Sequence, residues 1–445
     1  MADLQRLERE ICEKFNISAL TDNQRTAISS LSEKRDIFIG TKTGSGKTLT
    51  YECVPLVFGE TAVTVIVAPL VSIMKEQVER LSSLGYRAVH LEGSTDVESV
   101  MNGYYNFIFG SPEVLVGETK WRDVLKNPEF TKRHRLIVVD EAHTIIHWGE
   151  EKNKQETAFR EWFGHIGELR SLCLKVPVLA LTATACPSHR RKIMSKLCYG
   201  KNACVISDTP DRKNIKMSVV KVKQSDDLDV IFSWIIEGLS KEQNKFHRHL
   251  IFCNSIKDCS LIYMIFVKHF GKSNLFNMFH SKTTDYVKDK IRNDMSNPSG
   301  QLRVLICTNA AGMGVNYSEL YNVIHYGPPK EIDSFVQQMG RAGRDNTQSH
   351  DLIIFKSAQL KRVDNDMKDL VSDSCRGLLL TKSYMCDPVT DIRKHFCCDI
   401  CENTCKCGEE LCPYVHPVKT NARVEMVVDD SDCSSDVTTT DEETD

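Results

Sequence analysis

The 445 residues are 41% hydrophobic and 26% charged, a balance that suits two or three globular domains, each burying its own core. The opening "MADLQRLEREICEKF" is too charged for a signal peptide, and the most apolar run, "TAVTVIVAPLVSIM", is too short to span a bilayer, so a soluble intracellular protein is expected. Net charge is −3, but residues 417–445 hold two basic and nine acidic side chains, so the rest of the chain carries +4 and is compatible with a polyanionic partner.

In chain order, "RDIFIG" reads as a buried strand, the loop "TKTGSGKT" follows at 41–48, and "KTLTYECVPLVF" reads as a helix. Strand, glycine-rich loop and helix N-terminus together predict a phosphate cradle built from Thr41, Lys42, Thr43, Gly44, Ser45, Gly46, Lys47 and Thr48. The glycines let backbone N–H groups turn inward, Lys47 reaches the β/γ-phosphates of a nucleoside triphosphate, and the Thr48 hydroxyl holds Mg²⁺. Thr41 stands where the strict pattern has glycine, with Gly40 one residue earlier. Further strands are expected at "VTVIVAP", "NFIFGS", "RLIVVD" and "VLALTAT", an alternation with helices that predicts a parallel sheet covered on both faces. At the end of "RLIVVDEAH", Asp140 is placed to hold Mg²⁺ and Glu141 to polarise an attacking water.

The polar stretch "ISDTPDRKNIKMSVVKVK" reads as an extended join, after which "HLIFCN", "LRVLICT", "NVIHYG" and "HDLIIF" repeat the α/β pattern without a second phosphate loop. In "QQMGRAGRD", Arg341 and Arg344 lie among small residues, suited to reach a γ-phosphate across a cleft between two such units. A charged helical stretch and a cysteine-rich module follow. The acidic, Ser/Thr-rich end is expected to be disordered, with contact to protein partners as its possible role.

Taken together and in order, these stretches resemble the RecQ family of superfamily-two DNA helicases. The resemblance is carried by "VAPLVSIMKEQV" (67–78), "GSPEVL" (110–115), "DEAH" (140–143), "LALTATA" (179–185), "DRKN" (211–214), "IFCNS" (251–255), "CTNAAGMGVN" (307–316) and "QQMGRAGRD" (337–345). It implies two RecA-like α/β domains in tandem, at 1–210 and 211–356, then a zinc-binding module at 357–416 and the acidic tail at 417–445. It further implies ATP with Mg²⁺ in the interdomain cleft and single-stranded DNA crossing both domains. The implied activity is 3′-to-5′ translocation with unwinding of tailed or branched duplexes, in nuclear DNA repair or recombination. By the same resemblance Gln24 reads the adenine edge, with Phe15 upstream, and His143 and Gln337 belong to the nucleotide-binding set. Thr182 and Thr184 link the ATP site to DNA, and Asn254 and Thr308 approach the phosphate backbone. Trp148 belongs to an aromatic loop that senses DNA. Leu20, Thr21, Glu150 and Asn316 depart from the family's usual residues. Nothing resembles the winged-helix or HRDC domains of many members, so strong translocation with weak unwinding, or dependence on a partner, is expected.

The eighteen cysteines crowd toward residues 375–412, and without a secretion signal they predict metal binding rather than disulfides. Cys398 and Cys401 form a C-x₂-C knuckle, and Cys375 matches the family's upstream zinc ligand. The fourth ligand is open between His395, which has the better spacing, and Cys397, which would strain to share one ion with its neighbour. Cys405, Cys407, Cys412 and His416 are additional candidates. Two other functions compete with a DNA helicase: an RNA helicase or nucleoprotein-remodelling translocase, and a DNA-binding scaffold whose hydrolysis has decayed.

Overall fold

The computed structural model describes residues 2–42, 44–149, 160–183, 185–309, 317–384 and 394–405. Strands β1 (Ile37–Gly40), β2 (Val63–Val67), β3 (Ala88–His90), β4 (Phe107–Gly110), β5 (His134–Val139), β6 (Val178–Thr182) and β7 (Cys204–Ser207) form the first sheet, in the order β3-β4-β2-β5-β6-β1-β7. All its pairs are parallel. Helices cover both faces, so the inner strands carry no polar alternation, and β2 is buried at every position. Successive side chains still part to opposite sides: Phe38, Val65 and Ile137 join one core, Ile37, Ile66 and Val138 the other.

The second sheet contains β8 (Ile215–Lys221), β9 (Arg248–Cys253), β10 (Phe276–Phe279), β11 (Val304–Cys307), β12 (Leu320–Tyr326) and β13 (Ser349–Phe355), in the order β10-β11-β9-β12-β13-β8, again wholly parallel. The fold is thus two parallel-sheet, RecA-like lobes in tandem. Two expectations need correction. The stretch read as an extended join contains β8, a full edge strand, and its buried Lys216 pairs with Glu402 at 2.8 Å. The helix expected after the phosphate loop is two short pieces, Leu49–Glu52 and Val54–Phe58. Pro55 explains the break, because it offers no N–H to continue the ladder.

The cysteine-rich module is fastened to the second lobe. Arg376 donates Nε and Nη2 to the two carboxylate oxygens of Asp399, each at 3.0 Å, and Asp399 Oδ2 also accepts from the Val219 N–H of β8. Leu380, Tyr384, Cys397 and Cys398 continue the apolar core that lies beneath β8 and β9.

Candidate active site between the two lobes

The chain leaves β1 at the C-terminal edge of the first sheet, the edge at which parallel sheets present ligands. Gly44 and Gly46 have φ of +83° and +74°, in the left-handed region that favours glycine. Thr41 replaces the expected glycine with a brace: its Oγ1 lies 2.7 Å from Ser45 Oγ, and its N–H donates to Thr182 O. Lys47 Nζ donates to the carbonyls of Thr41 (2.8 Å) and Lys42 (3.0 Å), folded back over its own loop. Burial lowers the Lys47 pKa, opposed by the charges of Glu141 and Asp140. The Thr48 hydroxyl makes no bond to cap the helix that follows. Gln24 accepts from the Thr21 N–H (2.9 Å) and donates to Gly46 O (3.1 Å), so its amide sits directly against the loop. Thr43 lies outside the described residues.

Asp140 follows β5 at the same edge. Burial, reinforced by the Glu141 charge, pushes its carboxyl up to about 7. Glu141 has φ +49°, a strained backbone for a non-glycine residue. The turn is held by Glu141 N–H donating to Asp140 Oδ1 and by Ala142 N–H donating to Leu181 O. Asp140 and the Thr48 hydroxyl supply the hard oxygen donors that Mg²⁺ prefers.

His143 carries this edge across to the other lobe. Burial pushes it down to about 4, so the imidazole is neutral. Its Nδ1 lies 3.3 Å from both Glu141 Oε2 and Thr182 Oγ1, and its Nε2 lies 3.4 Å from Gln337 Nε2 on the helix Ile332–Met339. With the proton on Nδ1, Nε2 accepts from the Gln337 amide. That helix ends in the turn bearing Arg341 and Arg344. Gly343 there has φ +55°, Arg212 donates to Ala342 O (3.1 Å), and Asn214 donates to Gly343 O (2.8 Å). Burial, then repulsion from Arg341 and Arg212, pushes Arg344 down to about 10, and it stays charged. The charge of Glu141 partly offsets the lowering of Arg344, and the charge of Arg344 adds to the lowering of Lys47, both behind burial. Arg212 and Asn214 were legible only as part of "DRKN"; their bracing of the arginine turn was not foreseen.

Residues 21–193 match the DEAD/DEAH box helicase model and residues 230–346 the helicase conserved C-terminal domain. The ATP-dependent DNA helicase hus2/rqh1 of Schizosaccharomyces pombe is 26% identical over 86% of this chain and 28% of its own length. The RecQ-like DNA helicase BLM of Xenopus laevis is 28% identical over the same shares. The chain belongs to the RecQ family of superfamily-two helicases. It spans less than a third of the length of these curated relatives. The DEAD-box helicase Mss116, solved with single-stranded RNA and UDP-BeF, shares the fold, with a TM-score of 0.60 and 20% identity over 81% of this chain and 74% of that one.

The remaining RecQ-derived expectations fare unevenly. Trp148 is half-buried: Phe163 meets its ring edge-on at 5.1 Å, and the Arg160 guanidinium lies 5.5 Å from the ring centre. Arg160 is itself held by both oxygens of Glu113 and by Pro69 O, all at 2.7 Å. Trp148 is therefore held in place by Phe163 and Arg160. Thr182 is buried beside His143, within the catalytic edge. Asn254 donates to Pro328 O at 3.0 Å, and Thr308 follows β11 with its N–H on Phe279 O. Thr184, Asn316, Glu150 and the acidic tail lie outside the described residues, as do Cys407, Cys412 and His416.

At the module, Cys375, Cys397, Cys398 and Cys401 bring their sulfurs within 4.8 Å of one another. Cys375 Sγ lies 3.7 Å from Cys397 Sγ and 3.4 Å from Cys401 Sγ. Four ligands at a Zn–S distance of 2.3 Å would stand about 3.8 Å apart, so the four thiols fit a tetrahedral zinc. Hydrogen bonds from neighbouring thiols hold Cys375 far below the ordinary thiol range. His395, the other candidate for the fourth ligand, is outside the group; its Nδ1 lies 3.4 Å from Cys405 Sγ. Adjacent Cys397 and Cys398 converge because the helix Lys394–Cys397 ends there and Cys398 is extended, with φ −162° and ψ 171°.

Proposed function

We propose that the chain is an ATP-dependent DNA helicase that couples hydrolysis to 3′-to-5′ movement on single-stranded DNA. The observation that carries this reading is the contact across the cleft between His143 Nε2 and Gln337 Nε2 at 3.4 Å, which sets the Asp140–Glu141 edge of one lobe against the helix leading into Arg341 and Arg344 of the other. Bound ATP with Mg²⁺ supplies the transferable γ-phosphoryl group and part of the neutralising charge. Lys47 exchanges the carbonyls of Thr41 and Lys42 for phosphate oxygens, while Thr48 and Asp140 hold the metal. Glu141 orients the attacking water, and Arg341 and Arg344 stabilise charge from the opposite side. Lobe closure thereby completes the site, and its reversal after hydrolysis returns the lobes to the open state. The His143–Gln337 contact supports such coupling, because it joins Glu141 to the arginine-bearing segment.

Trp148 offers a face for base stacking, Thr182 and Thr184 relay the state of the ATP site, and Asn254 and Thr308 face the backbone of the strand. Cys375, Cys397, Cys398 and Cys401 hold a structural zinc. A nuclear location and a part in repair or recombination accompany this reading through family membership. Among the described residues no helix is long and apolar enough to cross a membrane.

Strand displacement on duplexes with 3′ or 5′ tails tests the proposal. ATP-dependent release from the 3′-tailed substrate, absent in Lys47→Ala, is expected. Hydrolysis stimulated by RNA rather than by single-stranded DNA would move the assignment to an RNA motor. Turnover no higher than that of Lys47→Ala would leave a scaffold.

A further inference from the structure

Away from the nucleotide loop, three side chains from separate segments meet at the seam of the lobes. His147 closes the short helix Thr144–His147, His189 lies on the helix Pro187–Lys196, and Asp333 lies on the helix Ile332–Met339 of the second lobe. One donor atom from each lies within 4.8 Å of the others. His189 Nδ1 is 2.5 Å from Asp333 Oδ2, and the Asp333 side chain is 1% exposed. Asp333 Oδ1 accepts from the Cys186 N–H (3.1 Å) and from the Tyr384 hydroxyl, so the carboxylate is fixed by both lobes and by the cysteine-rich module. His147 Nδ1 lies 3.1 Å from Glu331 Oε2, which orients the ring. A carboxylate holding one imidazole nitrogen is the usual outer partner of a metal-binding histidine.

We propose that His147, His189 and Asp333 form a site for a divalent transition-metal ion, Zn²⁺ above all, whose binding clamps the lobes together and slows the motor. Two imidazoles and one carboxylate suit borderline first-row cations, whereas Mg²⁺ and Ca²⁺ prefer oxygen alone. Donors about 2.1 Å from a tetrahedral ion stand about 3.4 Å apart. The observed separations, from 2.5 Å to at most 4.8 Å, bracket that spacing, so small side-chain shifts complete the site. Because the first lobe supplies both histidines and the second the carboxylate, an ion bound by all three opposes opening of the cleft. The site differs in place and chemistry from the four-cysteine cluster. The effect on the motor rests on the proposed ATPase; the binding of the ion does not.

The test uses the full chain with its cysteine site filled by zinc, titrated with Co²⁺ while bound metal is counted and ATP hydrolysis is followed. Wild type should take up one further equivalent and slow by at least about tenfold. His147→Gln, which leaves the His189–Asp333 pair in place, should take up none and keep its rate in the same Co²⁺. No additional equivalent in wild type, or equal uptake by His147→Gln, would overturn the site. Uptake without slowing would overturn the clamp. A wild-type chain without hydrolysis before any Co²⁺ is added would instead overturn the proposed motor, while the metal count still decides the site.

Discussion

Lobe 1 gathers its reactive groups along one rim: Lys47, Asp140, Glu141 and His143 all stand at the C-terminal edge of its sheet. Lobe 2, with the same layered architecture, spends much of its buried charge internally. Arg248 donates to the carbonyls of Met295, Ser318 and Asn297, and His325 bridges Gln338 and Asp351. Its contribution to the cleft is the braced turn carrying Arg341 and Arg344, and its edge strand β8 bears the cysteine module. On the proposed reading the lobes divide the labour: the first binds and activates, and the second delivers charge from a braced turn.

Removing the proposed zinc should be the largest perturbation of that division. Structural zinc contributes about 10–16 kcal/mol in zinc-finger peptides, so chelation should unfold the module. Because Arg376, Asp399 and Glu402 tie the module to β8, hydrogen exchange should rise through 215–221, 376–384 and 394–405 while β1 to β6 stay protected. Equal loss of protection in both lobes would erase the proposed asymmetry. Next in size is Arg344→Ala, which should lower kcat for ATP hydrolysis by about 10³-fold or more, with a much smaller change in KM for ATP. Arg344→Lys should recover little, since an ammonium cannot reproduce the guanidinium fork. A normal kcat in Arg344→Ala would mean that lobe 2 does not complete the site.

Acid should expose what the lobes share. His134 in β5 and His249 in β9 are each pushed down to about 4 by burial. Above pH 6.5 both are neutral in the folded and unfolded states. Between pH 6.5 and 4 the unfolded chain binds protons that the folded chain refuses, so stability falls as pH falls, by about 1.4 kcal/mol per pH unit per histidine. Urea melts followed by lobe-specific hydrogen exchange should show both lobes weakening in that window. His249→Gln should flatten the acid slope of lobe 2 alone.

What could be read from the sequence was local and repetitive. Nine strands were anticipated, and the four that were not, β3, β7, β8 and β10, are the outer strands of the two sheets. Outer strands keep one edge and part of a face open to water, so their residues look polar: β7 alternates buried and exposed, and all of β3 is half-exposed. In β8, the buried Lys216 is met by Glu402, far along the chain. The phosphate loop, the Asp140–Glu141 pair and the two arginines were legible because each sits in a short fixed spacing. The choice between His395 and Cys397 was not, because the helix break that lets adjacent thiols converge is a backbone event. The meeting of His147, His189 and Asp333 depends wholly on how the lobes dock, and nothing in their spacing along the chain announces it.

The smallest predicted effect concerns nucleotide choice, and it sits at the rim of lobe 1. Gln24 does two jobs: its carbonyl oxygen completes the capping box with Thr21, and its amide nitrogen reaches Gly46 O. Only the second brings a donor to the mouth of the loop, where an amide can pair with an adenine edge. Gln24→Glu separates the two, because a carboxylate still accepts from the Thr21 N–H but offers adenine no donor. Its Tm should fall modestly, because the carboxylate faces Gly46 O with no proton to donate, while KM for ATP rises by about tenfold and KM for GTP hardly moves, in line with the 1–3 kcal/mol of a bidentate base contact. Gln24→Ala should lose the cap as well, lowering Tm along with ATP preference. If Gln24→Glu kept full ATP preference, the amide would belong to the loop's scaffold alone, and base selection would have to come from another residue near the loop.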